Sequence, residues 1–136
     1  MSKISIVIPA YEAHGRGGEL LNELLESIND QIYRRIEVII ADHSVTDMIK
    51  DVAESWSKHL DIIYLRNEQG RGNASINTNF GIKRASGEYI KIMHIDDKFC
   101  NKYAIELLML SIDKDPNLKW GAYGYNHYYE SENSIC

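Results

Sequence analysis

The sequence predicts an α/β fold, a mostly parallel sheet with helices on both faces, because short β-branched runs recur along the chain with amphipathic segments of helical period between them. A further observation sharpens this. The segments that follow three of the runs carry carboxylates, as the ligand-binding ends of such strands often do. The first run, Ile4 to Ile8, reads as a buried strand closed by Pro9, where the backbone must leave the sheet. From Gly18 onward, Leu20, Leu21, Leu24, Leu25 and Ile28 repeat at helical spacing with Glu19, Glu23 and Glu26 on the other face. Glu37 to Ala41 is a second strand, and Met48, Ile49, Val52, Ala53 and Trp56 mark a second helix with Thr46 or Asp47 at its N-cap. Ile62 to Leu65 is the third strand, Gly70 to Asn73 a loop, and Ala74 to Ala85 a helix that stops near Gly87. Tyr89 to Ile95 is the fourth strand, Tyr103 to Ile112 a helix stopped by Asp115-Pro116, and Trp120 to Tyr129 an aromatic segment expected to add a further strand.

A chain of 136 residues has room for one domain, assigned to residues 1–129, followed by a polar tail over 130–136. With 44% hydrophobic and 26% charged residues it falls among ordinary globular proteins. Its formal charge of −5 argues against a broad grip on nucleic acid, which needs clustered Lys and Arg to release phosphate counterions. The two cysteines, Cys100 and Cys136, fit neither a disulfide framework nor a CxxC metal site. No segment has the length of a membrane span or the flanks of a signal peptide. The expected location is the cytoplasm, with the inner membrane face as a peripheral site.

In open parallel sheets the ligand lies outside the carboxyl ends of the strands. That rule selects Pro9-Ala10-Tyr11-Glu12, Asp42-His43-Ser44, Arg66-Asn67 and His94-Ile95-Asp96-Asp97. Asp96 and Asp97 carry the strongest signal, because adjacent acids after an apolar strand need a cation or hydrogen-bond donors to offset their repulsion. Mg²⁺ or Mn²⁺, held by one or two carboxylates and completed by water and substrate phosphates, meets that need. The competing reading is that either acid only caps the next helix. Asp42 could accept hydrogen bonds from a nucleobase or ribose, or could simply bond its own turn. Gly70-Arg71-Gly72-Asn73 could turn backbone N–H groups and the Arg71 guanidinium toward a phosphate, or be an ordinary glycine turn. The run AHGRGG over residues 13–18 does not meet the dinucleotide pattern GxGxxG. His43, His94 and His127 share no spacing that would make them zinc ligands.

With these residues in hand, the chain resembles the family-two inverting glycosyltransferases of the GT-A fold, a Rossmann-like nucleotide-diphospho-sugar transferase architecture, over essentially its whole length. ISIVIPAY over residues 4–11 resembles the family's opening strand, with Glu12 where Asn is usual. EVIIADHSVTD over 37–47 is similar to the second strand and its acidic turn, with His43 in place of the second acid. Gly81-Ile82 and ASGEYI over 85–90 resemble the helix-to-strand stretch, with Thr78 where an arginine is common. YIKIMHIDD over 89–97 resembles the strand that ends in the metal-binding acidic motif, with His94 at its first acid.

The resemblance implies a divalent ion, Mn²⁺ or Mg²⁺, bridging the diphosphate of a nucleotide-activated sugar, with a UDP-sugar favoured. It places Asp97 on the metal and Asp96 on ribose or metal, and puts Pro9, Tyr11 and Asp42 around the base and ribose, with Glu12 a further donor-binding candidate. Arg71 becomes the substitute for the arginine missing at Thr78. It also implies that the acceptor-binding half and the catalytic carboxylate base belong to a later segment, so the chain is expected to be a truncated or abbreviated donor domain whose acceptor is unidentified. The competing expectation is a non-catalytic nucleotide-binding or assembly module of the same fold, dimerising through an exposed sheet edge or apolar surface. A Rossmann-type cofactor enzyme is disfavoured by the displaced glycines.

Overall fold

The structure, a computed structural model, describes residues 1–122, 124 and 125. Among them, strands and helices alternate as β1 (Ile4–Ala10), α1 (Gly17–Asn29), β2 (Ile36–Asp42), α2 (Met48–Trp56), β3 (Ile62–Arg66), α3 (Ala74–Ile82), β4 (Tyr89–Ile92) and α4 (Ala104–Lys114). The strands form one sheet in the order β3-β2-β1-β4, and every neighbouring pair is parallel. This is the architecture the alternating pattern predicts.

Both faces of the central strands are covered, which is why β1 and β2 read as nearly continuous apolar runs. On one face Ile4, Ile6 and Ile8 of β1, with Val38 and Ile40 of β2, share a core with Leu21, Leu24, Leu25 and Ile28 of α1, Ile49 and Ala53 of α2, and Ile105 and Met109 of α4. The opposite face, carrying Val7, Ile39 and Ala41, is met by α3 through Gly81. A Cβ added to Gly81 would lie 2.7 Å from Val7 Cγ1, so only glycine lets this helix settle so close to the sheet.

Several boundaries differ from the sequence expectation for physical reasons. Pro9 does not end β1 but lies within it, paired with Ala41. Met93 donates its N–H to the Val7 carbonyl, so the backbone of Val7, and of Pro9 two residues on, faces β4. The strand β4 ends at Ile92, opposite Val7, and the missing N–H of Pro9 therefore costs no ladder bond. β4 itself stops short of Ile95 because His94 to Asp97 closes into a turn. The proposed N-cap Asp47 occupies the cap position of α2 but makes no side-chain cap bond, its carboxylate going to Arg66 instead. In the aromatic segment, residues 120–122, 124 and 125 lie outside regular secondary structure, and Trp120 and Tyr125 are 82% and 81% exposed. The rest of that expected strand, the domain boundary at 129, the tail, and Cys136 with the cysteine expectation that depends on it lie outside the described residues.

At the amino ends of the strands, buried Glu37 gathers the chain. Its carboxylate accepts hydrogen bonds from Ser5 Oγ (2.5 Å), the Ser86 N–H (2.6 Å) and Ser86 Oγ (2.9 Å), and pairs with Lys3 Nζ at 3.0 Å. Gly87 N–H donates to Ser5 Oγ at 2.8 Å, and a Cβ at Gly87 would come within 2.9 Å of the Lys3 carbonyl oxygen. The entry to β4 is thus tied to both β1 and β2. Burial pushes the Glu37 carboxyl upward, but the bonds from Ser5, Ser86 and Lys3 outweigh it and hold it at about 2, below its ordinary value of 4.5. A carboxyl depressed on folding stabilises the folded state above its unfolded value, and that stability is lost as pH falls from about 4.5 toward about 2. Glu37→Gln is therefore expected to cost about 2 to 3 kcal/mol at neutral pH in urea unfolding, and to flatten the loss of stability between pH 5 and 2 that the parent chain shows.

Candidate functional site at the sheet crest

The carboxyl ends of β3, β2 and β1 are locked side by side, Arg66 pairing with Asp42 and Asp42 with Ala10. Two bonds extend the ladder past the strands: His43 N–H donates to the Ala10 carbonyl (2.9 Å) and Asn67 N–H to the Asp42 carbonyl (2.8 Å). Beneath this crest lies a buried polar cluster. Asn77, on α3, donates to the Ala41 carbonyl at 2.8 Å and to the Ala10 carbonyl at 3.4 Å, and accepts from Asn67 Nδ2 at 3.3 Å. His43 Nε2 stands 2.8 Å from the Gln69 carbonyl oxygen and 3.1 Å from Asn67 Nδ2. Through these bonds α3 fixes the ends of β1, β2 and β3 at once.

The strand-one candidates divide by exposure. Tyr11 is 46% exposed at the crest, whereas Pro9 is buried. Glu12 donates its N–H to Ser44 Oγ at 2.8 Å, and its carboxylate accepts from the N–H groups of Gly15 and Gly17. That carboxylate caps the entry to α1, a favourable place for negative charge. A Cβ at Gly17 would meet Glu12 Oε2, so a side chain there would push the carboxylate off its N–H groups.

Asp42 is 0% exposed. Its Oδ1 accepts from Ser44 N–H at 2.8 Å and its Oδ2 from the Tyr64 hydroxyl at 2.5 Å, with Arg66 Nε 3.8 Å away. Burial raises the Tyr64 phenol well above its ordinary value, and the Asp42 partner raises it further, so it stays a donor. Arg71 is exposed, but its Nε donates to the His43 carbonyl at 2.7 Å. At Thr78, the hydroxyl donates back to the Ala74 carbonyl within α3.

On the far side of β1, residues 94–97 form a tight turn. Asp97 N–H donates to the His94 carbonyl at 3.0 Å, and His94 N–H returns a bond to Asp97 Oδ2 at 2.8 Å. The helix-capping alternative for the acid pair fails, since α4 begins at Ala104 with Tyr103 at its cap and no side-chain cap bond. Both acids are exposed. Half-buried Lys91 on β4 is lowered by burial, and the nearby Asp97 charge works against that shift. Among the described residues no group of three or more His, Cys, Asp or Glu side chains is arranged to hold a metal alone. Two exposed carboxylates nonetheless fit an oxygen-seeking ion that draws its remaining ligands from phosphate and water.

Neighbouring strands lie about 4.8 Å apart, so the crests of β2 and β4, with β1 between them, stand roughly 10 Å from each other. Asp42 and the acid pair thus flank the strand-one turn. Neither Asp42, the acid pair nor the strand-one turn lines the cavities of 420 Å³, bounded by residues including Ser27, Gln31 and Phe99, and of 350 Å³, beside Trp56. Sequence reasoning overlooked Tyr64, Asn77 and the role of Arg66. Strand alternation was the available signal for Tyr64 and Arg66, which fall on the same face as Asp42.

The family model described as "Glycosyl transferase family 2" matches residues 5–130. The chain belongs to this glycosyltransferase family. It is 33% identical over 133 residues to the glycosyltransferase GlyG of Streptococcus pneumoniae, covering 97% of this chain and 42% of that protein. The solved structure of Staphylococcus aureus TarS 1–349 superposes with a TM-score of 0.74 at 25% identity, over 82% of this chain and 32% of that one, and the same protein has been solved in complex with UDP-GlcNAc. The mannosyltransferase PcManGT from Pyrobaculum calidifontis, solved with GDP-Man and Mn²⁺, shares the fold at a TM-score of 0.66 and 22% identity, over 76% of this chain and 30% of that one. The chain spans less than half the length of these relatives. No helix among the described residues is long and apolar enough to cross a membrane.

The buried cluster makes a direct prediction. Asn77→Leu removes the donor to the Ala41 carbonyl and the acceptor for Asn67, and is expected to destabilise the fold by about 2 kcal/mol or more. Chemical denaturation read by tyrosine and tryptophan fluorescence measures it.

Proposed function

We propose that this chain is the donor-binding part of an inverting glycosyltransferase that uses a nucleotide-diphosphate sugar, with a UDP-sugar favoured, and a divalent ion, Mn²⁺ or Mg²⁺. The observation that carries the reading is the exposed acid pair after β4, beside the strand-one turn and freed of any helix-capping role. Tyr11, Arg71 and Asp96 present groups to the donor, while Pro9, Glu12 and Asp42 shape its bed from beneath. Asp97, with Asp96, would hold the ion, whose chemistry is to neutralise charge on the leaving diphosphate. Support for the donor class comes from the TarS complexes with UDP and UDP-GlcNAc, and for an ion from the Mn²⁺ complex of the mannosyltransferase. Transfer with inversion needs an acceptor hydroxyl and a carboxylate base, neither of which this reading assigns to a residue here. Residues 1–129 are the proposed extent of the donor domain.

One observation favours a second reading, an assembly module of the same fold. Strand β4, last in the order of the described strands, turns Ile90 and Ile92 outward, 45% and 42% exposed, an apolar pair that a second copy could cover. A concentration-dependent dimer in light scattering, without nucleotide binding, would favour it.

Calorimetry with UDP-GlcNAc, with and without Mn²⁺, tests the donor reading. Binding is expected only with the ion, and Asp97→Asn, which keeps an oxygen to accept from His94 N–H, should weaken it by about tenfold or more. No heat from the parent chain at millimolar UDP-GlcNAc with Mn²⁺ would sink the reading.

A further inference from the structure

We propose that Tyr64 and Arg66 are positioning residues of the donor site, and that Asp42 serves that site as an internal anchor of loop 43–47 without touching the nucleotide. This rests on the donor-binding reading above. The register of β2 with β3 sets Tyr64 opposite Ile40 and Arg66 opposite Asp42, so three polar side chains share one face at the corner of the crest. Asp42 has no exposed surface, and each carboxylate oxygen already holds a donor, Ser44 N–H on one side and the Tyr64 hydroxyl on the other. A nucleobase could reach that carboxylate only by displacing Tyr64 or the loop at Ser44.

Arg66 completes the device. Its Nε donates to the Tyr64 hydroxyl at 2.9 Å, its Nη1 to the carbonyls of Ser44 (2.8 Å) and Val45 (3.3 Å), and its Nη2 to Asp47 Oδ1 (2.7 Å). With Arg71 on the His43 carbonyl, the carbonyls of three successive loop residues are taken by guanidinium groups. A planar five-donor fork can bind several acceptors in fixed directions, which an ammonium cannot. The loop so held passes its geometry on through Ser44 Oγ, which accepts from Glu12 N–H next to Tyr11. Tyr64 and Arg66 therefore act on the donor through Ser44, Glu12 and Tyr11.

The test is titration of UDP and CDP with Mn²⁺ into the parent chain and into Tyr64→Phe, Arg66→Lys, Asp42→Asn and Asp47→Asn, with a thermal melt of each. Asp47 is exposed, so its variant keeps the experiment informative should Asp42→Asn fail to fold. Tyr64→Phe and Arg66→Lys are each expected to weaken UDP about tenfold, the worth of one positioning hydrogen bond. Asp47→Asn should weaken it by a smaller factor. In every variant the UDP-to-CDP affinity ratio should stay at the parent value, because the shape of the bed changes and no base contact is lost. Unchanged or tighter UDP binding by Tyr64→Phe would overturn the proposal, since a freed Asp42 would then be a ligand. A loss in Asp42→Asn confined to uracil would do the same. A parent chain that binds neither nucleotide would refute the donor reading, and this proposal with it, a result distinct from binding that the variants leave intact.

Discussion

The crest depends on the compensation of one carboxylate that has been removed from water. Desolvating Asp42 is costly unless donors and positive charge meet it inside the protein, and the fold answers with an N–H, a phenol and a guanidinium. Those three groups come from β3 and from the loop after β2. Satisfying Asp42 therefore requires β2 and β3 to run in the observed register and loop 43–47 to take the observed course, and both the order of the crest and the surface it shows follow from that.

Much of this was legible in the sequence. The strand and helix alternation, the acids at the strand ends and the family resemblance each rest on local patterns, of period or of ordered motif, that survive without coordinates. Other features were not, because they depend on partners far along the chain. Nothing near Asp47 announces that Arg66, 19 residues later, will claim its carboxylate and leave the helix uncapped. Nothing in the spacing around Glu12 announces that its carboxylate will accept the N–H groups of Gly15 and Gly17. Pro9 reads as a stop because its lost N–H matters only on a side with a neighbour, and strand order decides which side that is. The aromatic run from Trp120 carries strand propensity, yet its described residues are exposed and irregular, since propensity gives no sheet to join.

Membership in the glycosyltransferase family and the local geometry bear on different questions. The family match accounts for the order of the motifs and the course of the backbone. The departures from the family pattern are where this chain's own arrangement appears: His43 stands in the buried cluster with Asn67 and Asn77, and Thr78 is spent on its own helix. A buried polar cluster with every member bonded is rigid, so these replacements define a crest of fixed form.

The Glu37 cluster and the crest lie at opposite ends of the same strands, and each is closed on itself by short-range bonds. The frame is thereby held from both poles, with an apolar layer of isoleucine, valine and leucine between them. A sheet pinned at its two ends allows little shear between strands, so a loop substituted beyond the crest would move against an unmoving baseline.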